Sequence, residues 1–226
     1  MSQGSAHPTA SHHASEDAAQ PMDERVDNRS QRPDNAEFRE FMASGWAAPE
    51  HTTTPRAEVA EFAAQRRARL SRMFPGERLV IPAGAPKVRS NDTDYRFRPH
   101  SAFVHLTGMG VDHEPEAVLV MEPTEQGQGD DGSDHTSTLY FHPMAGRDSA
   151  EFYADAKNGE FWVGPRPTLA QLRDEFALPT EDLSALETAV TKDAGNTALG
   201  GLSIRLVRDV DLNMDALVDT SRINTG

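Results

Sequence analysis

The chain has 226 residues, enough for one substantial domain, and its formal net charge of −14 disfavours nucleic acid and anionic membranes as partners. Hydrophobic residues make up 37% of the chain and the mean hydropathy is −0.62, values that are low for a sequence folded throughout. We therefore expect a single folded unit together with a stretch that does not fold.

Cysteine is missing from the sequence, which excludes disulfides and thiolate metal sites. A metal ion would have to be held by His, Asp and Glu. The first thirty residues contain no apolar stretch of signal-peptide length, and no run of eighteen apolar residues occurs. These features are typical of a soluble, cytoplasmic protein.

The N-terminal segment, residues 1–33, offers few side chains to bury and is predicted to be a disordered tail. Three histidines in this tail are expected to be solvated rather than to bind a metal, and they are His7, His12 and His13. Residues 34–55 form an extension in which "DNAEFREFMASGW" predicts a short helix that stops at Gly45.

A second and longer helix is predicted after Pro55. Its apolar side chains follow the spacing of one helix face, and they are Val59, Phe62, Ala63, Leu70, Met73 and Phe74. Four arginines of the same segment are expected to form a solvated face, and they are Arg66, Arg67, Arg69 and Arg72.

Three unbroken apolar runs predict central strands that are buried on both faces: residues 79–81, "EAVLVMEP" and "TLYFHP". The segment "TEQGQGDDGSD" between the last two suits a long hairpin loop. It lacks the alternating oxygen spacing and the terminal Glu of a calcium loop.

The second half of the chain alternates helical and strand patterns. Capping-box spacing at Asp148–Glu151 and Thr168–Gln171 predicts helices over "SAEFYADA" and "TLAQLRDEF". Further helices are predicted over "LSALETAVTK" and "NMDALVDTSR", with a half-exposed strand, "GLSIRLV", between them. The interleaving predicts an α/β fold in which helices flank a mixed sheet.

The segment "YRFRPHSAFVHLTG", residues 95–108, is the richest in chemical groups. One interpretation makes it the entry to a core strand. The residues buried in that strand would be Phe103, Leu106 and Thr107. The alternative is the edge of a substrate site, for which the candidates are Arg98, His100 and His105. Phe161 and Trp162 allow the same two interpretations, and their size favours the core.

Most catalytic motifs are missing, because the G-x-S-x-G turn and the glycine-rich phosphate loops do not occur. Groups able to ligate a metal cluster near the centre of the chain: Asp92, Asp94, His100, Asp112, His113 and Glu114. They show neither H-E-x-x-H nor Glu-x-x-His spacing. We interpret the acidic ones as turn caps and loop residues, and assign no catalytic residue and no metal ligand.

The run "RPHSAFVHLTG", followed by "EPEAVLVMEP", resembles the N-terminal domain of the Xaa-Pro aminopeptidase (aminopeptidase P) family, which carries R-Q-[DN]-S-[DN]-F-[YW]-Y-L-T-G. The matching positions are Arg98, Ser101, Phe103, Leu106, Thr107, Gly108, Pro115, Glu116 and Ala117. A second similar region contains Arg147, Asp148, Phe161, Trp162, Gly164 and Arg166. The N-terminal extension resembles that of actinobacterial members.

The resemblance implies a creatinase-type, ribonuclease-H-like domain over residues 56–226, placed ahead of a pita-bread catalytic domain. In the family, that second domain binds a pair of Mn²⁺ ions through two Asp, one His and two Glu, and a bridging hydroxide attacks the bond before proline. Nothing similar follows Gly226, so we expect the chain to be inactive alone and to hold no cofactor. Its implied partners are the catalytic domain, further copies of the full enzyme and proline-containing peptides.

The family's N-terminal domain contributes to oligomer contacts, and an aromatic of the motif reaches a neighbouring subunit's cleft. Val104 stands at that aromatic position, and His105 replaces the following Tyr. The resemblance implies as cleft or inter-subunit candidates Arg98, His100, Val104 and His105. The structural motif residues would be Ser101, Phe103, Thr107, Gly108 and Trp162. Alternatives are a free-standing interaction or peptide-binding module, and the N-terminal domain of a proline dipeptidase or creatinase-type relative.

Overall fold

The structure is a computed structural model and describes residues 36–47, 54–91, 93–125, 127–195 and 201–223. The predicted disordered tail with its three histidines lies outside these residues. The chain divides into two compact units, one ending at Gly45 and the other beginning at Trp46. The first unit contains helix α1, Ala36–Ala43, as predicted. Gly45 follows it with a φ of +77°, a left-handed conformation that suits glycine after a helix.

The second unit is built on a five-stranded sheet. Its strands are β1 (Glu77–Pro82), β4 (Val118–Pro123), β5 (His135–Phe141), β6 (Thr180–Asp182) and β7 (Ser203–Leu206), in the order β6-β5-β4-β1-β7. The pairs β1–β4 and β4–β5 are antiparallel, whereas β1–β7 and β5–β6 are parallel. This mixed sheet confirms the predicted fold class. A separate two-stranded ribbon, which the sequence did not predict, pairs β2 (Val88–Ser90) with β3 (Thr93–Asp94).

Helices cover both faces of the sheet. They are α2 (Val59–Ser71), α3 (Ser101–Thr107), α4 (Glu151–Ala154), α5 (Glu160–Val163), α6 (Leu169–Phe176), α7 (Leu186–Thr191) and α8 (Leu212–Ile223). Short 3-10 turns lie at Asp130–Gly132 and Leu183–Ala185. Within the described part of the chain, every helix is too short or too polar to cross a membrane.

Strand β1 is buried on both faces because it runs through the middle of the sheet. Leu79 and Ile81 pack with side chains of α3 and α6, whereas Val80 packs with side chains of α7 and α8. Successive residues of a strand point to opposite faces, so one apolar run serves two core clusters. The prediction of doubly buried central strands is confirmed for β1 and for the first four residues of β4. It is wrong for β5, in which buried residues alternate with exposed or half-buried ones.

The predicted apolar face of α2 is confirmed in part. Ala63 is buried, and Val59, Leu70 and Phe74 pack against the core. Phe62 and Met73 are wrong, because they are 55% and 66% exposed, and the helix also buries Ala60, Arg67 and Ser71. The helix lies close to the C-terminal end of α3, where a β-carbon added to Gly108 would stand 2.7 Å from Val59 Cγ1. Close approach between helices favours small residues at the contact.

One of the two predicted capping boxes forms. The Thr168 side chain accepts from the Gln171 N–H at 3.2 Å, and the Gln171 side chain accepts from the Thr168 N–H at 2.8 Å. The box predicted at Asp148–Glu151 is wrong, because the Glu151 carboxylate contacts His142 instead.

Candidate functional site

Residues 101–107 form helix α3, so the core strand predicted for this stretch is wrong. The three residues expected in the core, Phe103, Leu106 and Thr107, are buried, but they lie at the i, i+3, i+4 spacing of one helix face. A run of seven residues is too short for periodicity alone to separate a strand from a helix.

The N-terminus of α3 is positioned by His100. Its backbone is extended (φ −58°, ψ 142°), and its Nδ1 accepts a hydrogen bond from the Ala102 N–H at 3.3 Å. The His100 N–H donates to the carbonyl of Ala83, just beyond β1, at 2.9 Å. His100 therefore caps the helix and ties its start to the end of the central strand.

The Thr-Gly pair at the other end of α3 is structural. Thr107 Oγ1 donates to the Phe103 carbonyl at 2.8 Å and accepts from the Met109 N–H at 3.1 Å. Gly108 has a φ of +84°, and a side chain there would collide with Val59. These two residues end the helix and turn the chain.

Two arginines of α2 donate to the last carbonyls of α3. Arg67 Nη1 lies 2.8 Å from the Leu106 oxygen, and Arg66 Nη1 lies 3.2 Å from the His105 oxygen. Arg67 is only 6% exposed, so the predicted solvated arginine face is wrong at this position. The terminal carbonyls of a helix lack partners within it, and a buried guanidinium supplies the donors.

The four cleft candidates lie away from the buried face of α3. Arg98 and His105 are exposed, whereas His100 and Val104 are half-buried. Since His100 and Val104 are four residues apart, they share one side of the first helical turn. The structure thus leaves Val104 and His105 of α3, and Arg98 and His100 just before it, at least partly accessible.

A buried ion pair that the sequence did not predict lies close to this helix in the chain. Glu114 Oε2 accepts from Arg166 Nη2 at 2.6 Å, and the two side chains are 10% and 8% exposed. Arg166 also donates to the His142 carbonyl at 2.5 Å and to Asn158 Oδ1 at 3.0 Å. The guanidinium therefore joins three loops. The sequence feature that could have indicated a role for Arg166 is its position in the second region that resembles the family.

Two opposing effects act on the pKa of the Glu114 carboxyl, and the effect of burial is the larger. Burial raises the pKa of Glu114, while the charge and hydrogen bond of Arg166 oppose that rise. Arg166 Nε finds no hydrogen-bond acceptor among the described residues. The arrangement holds loops together and offers no reactive group to solvent.

Phe161 and Trp162 are not core residues, so the prediction that favoured the core is wrong for both. They are 48% and 57% exposed, and Trp162 Nε1 donates to the Tyr153 carbonyl at 2.7 Å. Helix α5 has no buried residue, so neither ring is inserted beneath the sheet. The Phe161 ring instead stacks edge-on with Phe152 and with Trp162.

The arrangement of the ligating side chains decides whether a metal ion could bind. In the described ranges, no three or more His, Asp or Glu residues come together as a cation would need. Of the candidate ligands named from the sequence, Asp94 is exposed at the end of β3, and Asp112 and His113 are exposed and half-buried loop residues. Asp112 accepts from Arg96 Nε at 2.5 Å. The side chains of the described residues do not fit a metal pair.

Comparison with known proteins agrees with this fold and these motifs. Residues 63–198 match the model of the aminopeptidase P N-terminal domain. Xaa-Pro aminopeptidase 1 of Streptomyces coelicolor is 41% identical over 181 residues, which cover 80% of this chain and 33% of that protein. Xaa-Pro aminopeptidase 2 of the same organism is 39% identical over 186 residues, covering 82% of this chain and 36% of that protein.

Solved structures share the fold. A histidine-to-alanine variant of Escherichia coli aminopeptidase P is 20% identical, with a TM-score of 0.52 over 72% of this chain and 32% of that chain. Proline aminopeptidase P II from Yersinia pestis is 22% identical, with a TM-score of 0.50 and the same coverage. The molecule therefore has the fold of an aminopeptidase P N-terminal domain.

The chain belongs to the aminopeptidase P N-terminal domain family. It spans about a third of the length of the curated relatives that it matches. In those relatives, two thirds of the protein lies outside the matched region.

Proposed function

We propose that this chain acts as the non-catalytic N-terminal domain of a metal-dependent Xaa-Pro aminopeptidase, which hydrolyses the bond between an N-terminal residue and proline. The observation that carries the proposal is the family match, together with relatives that bear this name and are more than twice as long as this chain. Since the described side chains do not fit a metal pair, the Mn²⁺ ions would be held by the catalytic domain.

The domain's contribution would be shape and contact surface. We place Arg98, His100, Val104 and His105 at the edge of the substrate cleft or of a contact with a neighbouring subunit. This assignment is supported by their accessibility and by the cap and arginine contacts that hold α3 in place. A side chain on a rigidly held helix can position a peptide without taking part in the chemistry.

The first experiment incubates this chain alone with Mn²⁺ and an Xaa-Pro peptide. We expect no turnover above that of buffer with Mn²⁺, because water must be activated by metals that the described side chains are not arranged to hold. Appreciable turnover by the purified chain would refute the division of roles.

The second experiment uses a chimera in which this chain replaces the matched 181 residues of the Streptomyces coelicolor Xaa-Pro aminopeptidase 1. We expect an active chimera in which His105→Ala raises KM for Xaa-Pro peptides while kcat changes little, as for a residue that only positions substrate. The matched control is Arg173→Ala, an exposed change on α6. Equal KM values for the two variants would remove His105 from the cleft.

A further inference from the structure

Helix α2 has a second row of aligned side chains, on the side opposite to its buried residues. Successive residues of a helix are rotated by about 100°, so positions at i, i+4, i+7 and i+11 share one side. We define the outer stripe as the four residues with this spacing that point away from the core: Phe62, Arg66, Arg69 and Met73. Three of them are exposed, and Arg66 is half-buried. Met73 lies in the turn that ends the helix, where its N–H donates to the Leu70 carbonyl at 2.9 Å.

The ends of the outer stripe are apolar and its centre is basic. Phe62 and Met73 are more than half exposed, and eleven residues of helix separate them by about 16 Å. Single exposed apolar side chains are common on protein surfaces, so these two gain meaning only from the arginines between them. The stripe has the order apolar, basic, basic, apolar.

The arginines of the outer stripe have no acidic neighbour within α2. Side chains three or four positions apart are the ones that meet on a helix. Around Arg66 and Arg69 those positions hold apolar residues, one glutamine and further arginines, but no carboxylate. Like charges at neighbouring positions destabilise a helix, and Arg69 has two such neighbours, Arg66 and Arg72. Carboxylates approaching from outside the helix would relieve this repulsion.

The rest of the described fold does not neutralise the outer stripe either. Among the described residues, no ion pair involves Arg66 or Arg69. Arg66 Nη1 donates only to a neutral acceptor, the His105 carbonyl, at 3.2 Å. The acids on α2 and at its start, Glu61 and Glu58, lie before Phe62 in the N-terminal turn. The centre of the stripe is therefore cationic on a chain whose net charge is −14.

The spacing of the outer stripe is that of a coiled-coil seam. Intervals of four, three and four residues are successive d, a, d and a positions of a heptad, whose side chains insert between those of a facing helix. Charged residues in such a seam select the partner, because an arginine that meets an apolar or cationic side chain loses water without gaining a partner. The helix that fits carries apolar, acidic, acidic and apolar residues at the same intervals. This order reads the same in both directions, so parallel and antiparallel helices fit alike.

Two other occupants fit the outer stripe less well. A second copy that presented the same stripe would bring Arg66 and Arg69 against their own counterparts, and like charges in contact oppose association. An anionic membrane would repel the rest of a chain with a net charge of −14.

The direction in which the chain leaves the fold favours a separate protein as the occupant. Val218 of α8, the last helix, packs in the same core cluster as Val80, whereas Leu70 of α2 packs against the cluster that contains Leu79. Neighbouring residues of β1 point to opposite faces of the sheet, so α2 and α8 lie on opposite faces. A polypeptide that continues from α8 therefore starts on the far side of the sheet from the outer stripe.

We propose that the outer stripe of α2 is a docking site for an amphipathic helix of a separate partner protein, which carries apolar, acidic, acidic and apolar residues at i, i+4, i+7 and i+11. The partner's carboxylates pair with Arg66 and Arg69, and its apolar side chains cover Phe62 and Met73. This role goes beyond the proposed function and does not depend on it.

A synthetic alanine-rich peptide of about 25 residues, long enough to be helical in water, tests the docking site. The acidic peptide carries Leu, Glu, Glu and Leu at the four seam positions, and the control peptide has Gln in place of both Glu. Fluorescence anisotropy measures their binding to the full chain. We expect the acidic peptide to bind about tenfold or more tightly than the control peptide, and less tightly as salt is added. Equal binding of the two peptides, or no binding of the acidic one, would overturn the proposal.

Charge reversal in the outer stripe tests which residues bind the peptide. The stripe variant, Arg66→Glu with Arg69→Glu, should lose the acidic peptide and bind instead a peptide with Lys at both central seam positions. The matched control is Lys87→Glu with Arg89→Glu, which makes the same charge change at exposed positions of the β2–β3 ribbon. It should bind the acidic peptide like the parent chain. Loss of binding in this control would make net charge the cause and overturn the specific site.

Two milder variants keep the test valid if the stripe variant does not fold, which circular dichroism establishes. Arg69→Glu removes no hydrogen bond or ion pair between described residues and should weaken binding of the acidic peptide severalfold. Phe62→Ala with Met73→Ala removes the exposed apolar side chains and should weaken it about tenfold. Unchanged binding in both variants would show that the peptide binds elsewhere and overturn the proposal.

Two further measurements distinguish the other occupants. Cosedimentation of the chain with vesicles of phosphatidylserine and phosphatidylcholine should show no binding, and vesicle binding that the stripe variant abolishes would assign the outer stripe to a membrane. Sedimentation velocity should show no association that depends on the stripe, and self-association that the stripe variant abolishes would assign it to a second copy. Either result would overturn the proposal. Turnover by the chimera tests the proposed function separately, so the two proposals fail independently.

Discussion

Arg78 and Arg166 are both withdrawn from solvent and paired with a glutamate, yet their surroundings differ. Arg78 binds both carboxylate oxygens of Glu122, at 2.5 and 2.7 Å, and its Nη1 donates to the carbonyls of Val190 and Lys192 at 2.8 and 2.6 Å. Arg166 binds one oxygen of Glu114, and its Nε finds no acceptor within the described ranges.

The difference follows from the elements that carry the partners. Arg78 and Glu122 lie on neighbouring antiparallel strands, and the two carbonyls come from the C-terminal end of α7, where the helix leaves them without donors. Arg166 and Glu114 both lie in loops. Regular structure presents a complete set of acceptors to a buried guanidinium, whereas converging loops satisfy it in part.

The largest effect is expected for Arg78→Leu. It leaves two carbonyls and a carboxylate without their donor, so we expect the free energy of unfolding to fall by about 3–5 kcal/mol in urea titrations. Arg78→Lys keeps the charge but not the bidentate geometry and should lose less. A loss below about 1 kcal/mol for Arg78→Leu would show that this arginine does not hold α7 to the sheet.

A smaller effect is expected for Arg166→Leu, about 2 kcal/mol in the same titration, because fewer well-formed bonds are lost. Arg166→Lys provides the matched comparison with the corresponding Arg78 variant. If Arg166→Leu destabilised the chain as much as Arg78→Leu, the distinction between strand-borne and loop-borne pairs would be wrong.

The smallest effect is a pH dependence. A carboxyl whose pKa is raised in the folded state stabilises the fold fully below its ordinary pKa, and that contribution is lost as pH rises through the raised value. Burial raises the pKa of Glu114. The parent chain should therefore lose stability relative to Glu114→Gln as pH rises from about 4 toward neutrality.

Urea titrations at a series of pH values measure this difference. The opposite slope, with the parent chain gaining on Glu114→Gln as pH rises, would mean that the attraction of Arg166 outweighs the cost of burial. The pair would then resemble Arg78–Glu122 more closely than its incomplete bonding indicates.

The central strands were predictable because an unbroken apolar run of β1 or β4 has one stable placement, between two layers of helices. Helix α3 was predicted as a strand although Phe103, Leu106 and Thr107 have the spacing of one helix face, because a run of seven residues is too short for periodicity alone to decide. The helix is stabilised by the His100 cap at its N-terminus and by the arginines of α2 at its C-terminus. The arginines contact α3 only in the folded chain.

The candidate site divides in the same way. The resemblance implied a structural role for Gly108, but only the fold gives the reason, because its left-handed turn lies beside Val59 and has room for glycine alone. The Glu114–Arg166 pair was not predictable, because 52 residues separate the partners along the chain. The exposure of Trp162 was also missed, because size indicates only that a side chain favours burial.

The amino-acid sequence by itself determined the family, the α/β layering and the central strands, because motifs and apolar patterning are local properties. Tertiary structure alone decided which arginines are buried and which acids pair with them. Those relations depend on strand order and direction, which bring residues together that are distant along the chain.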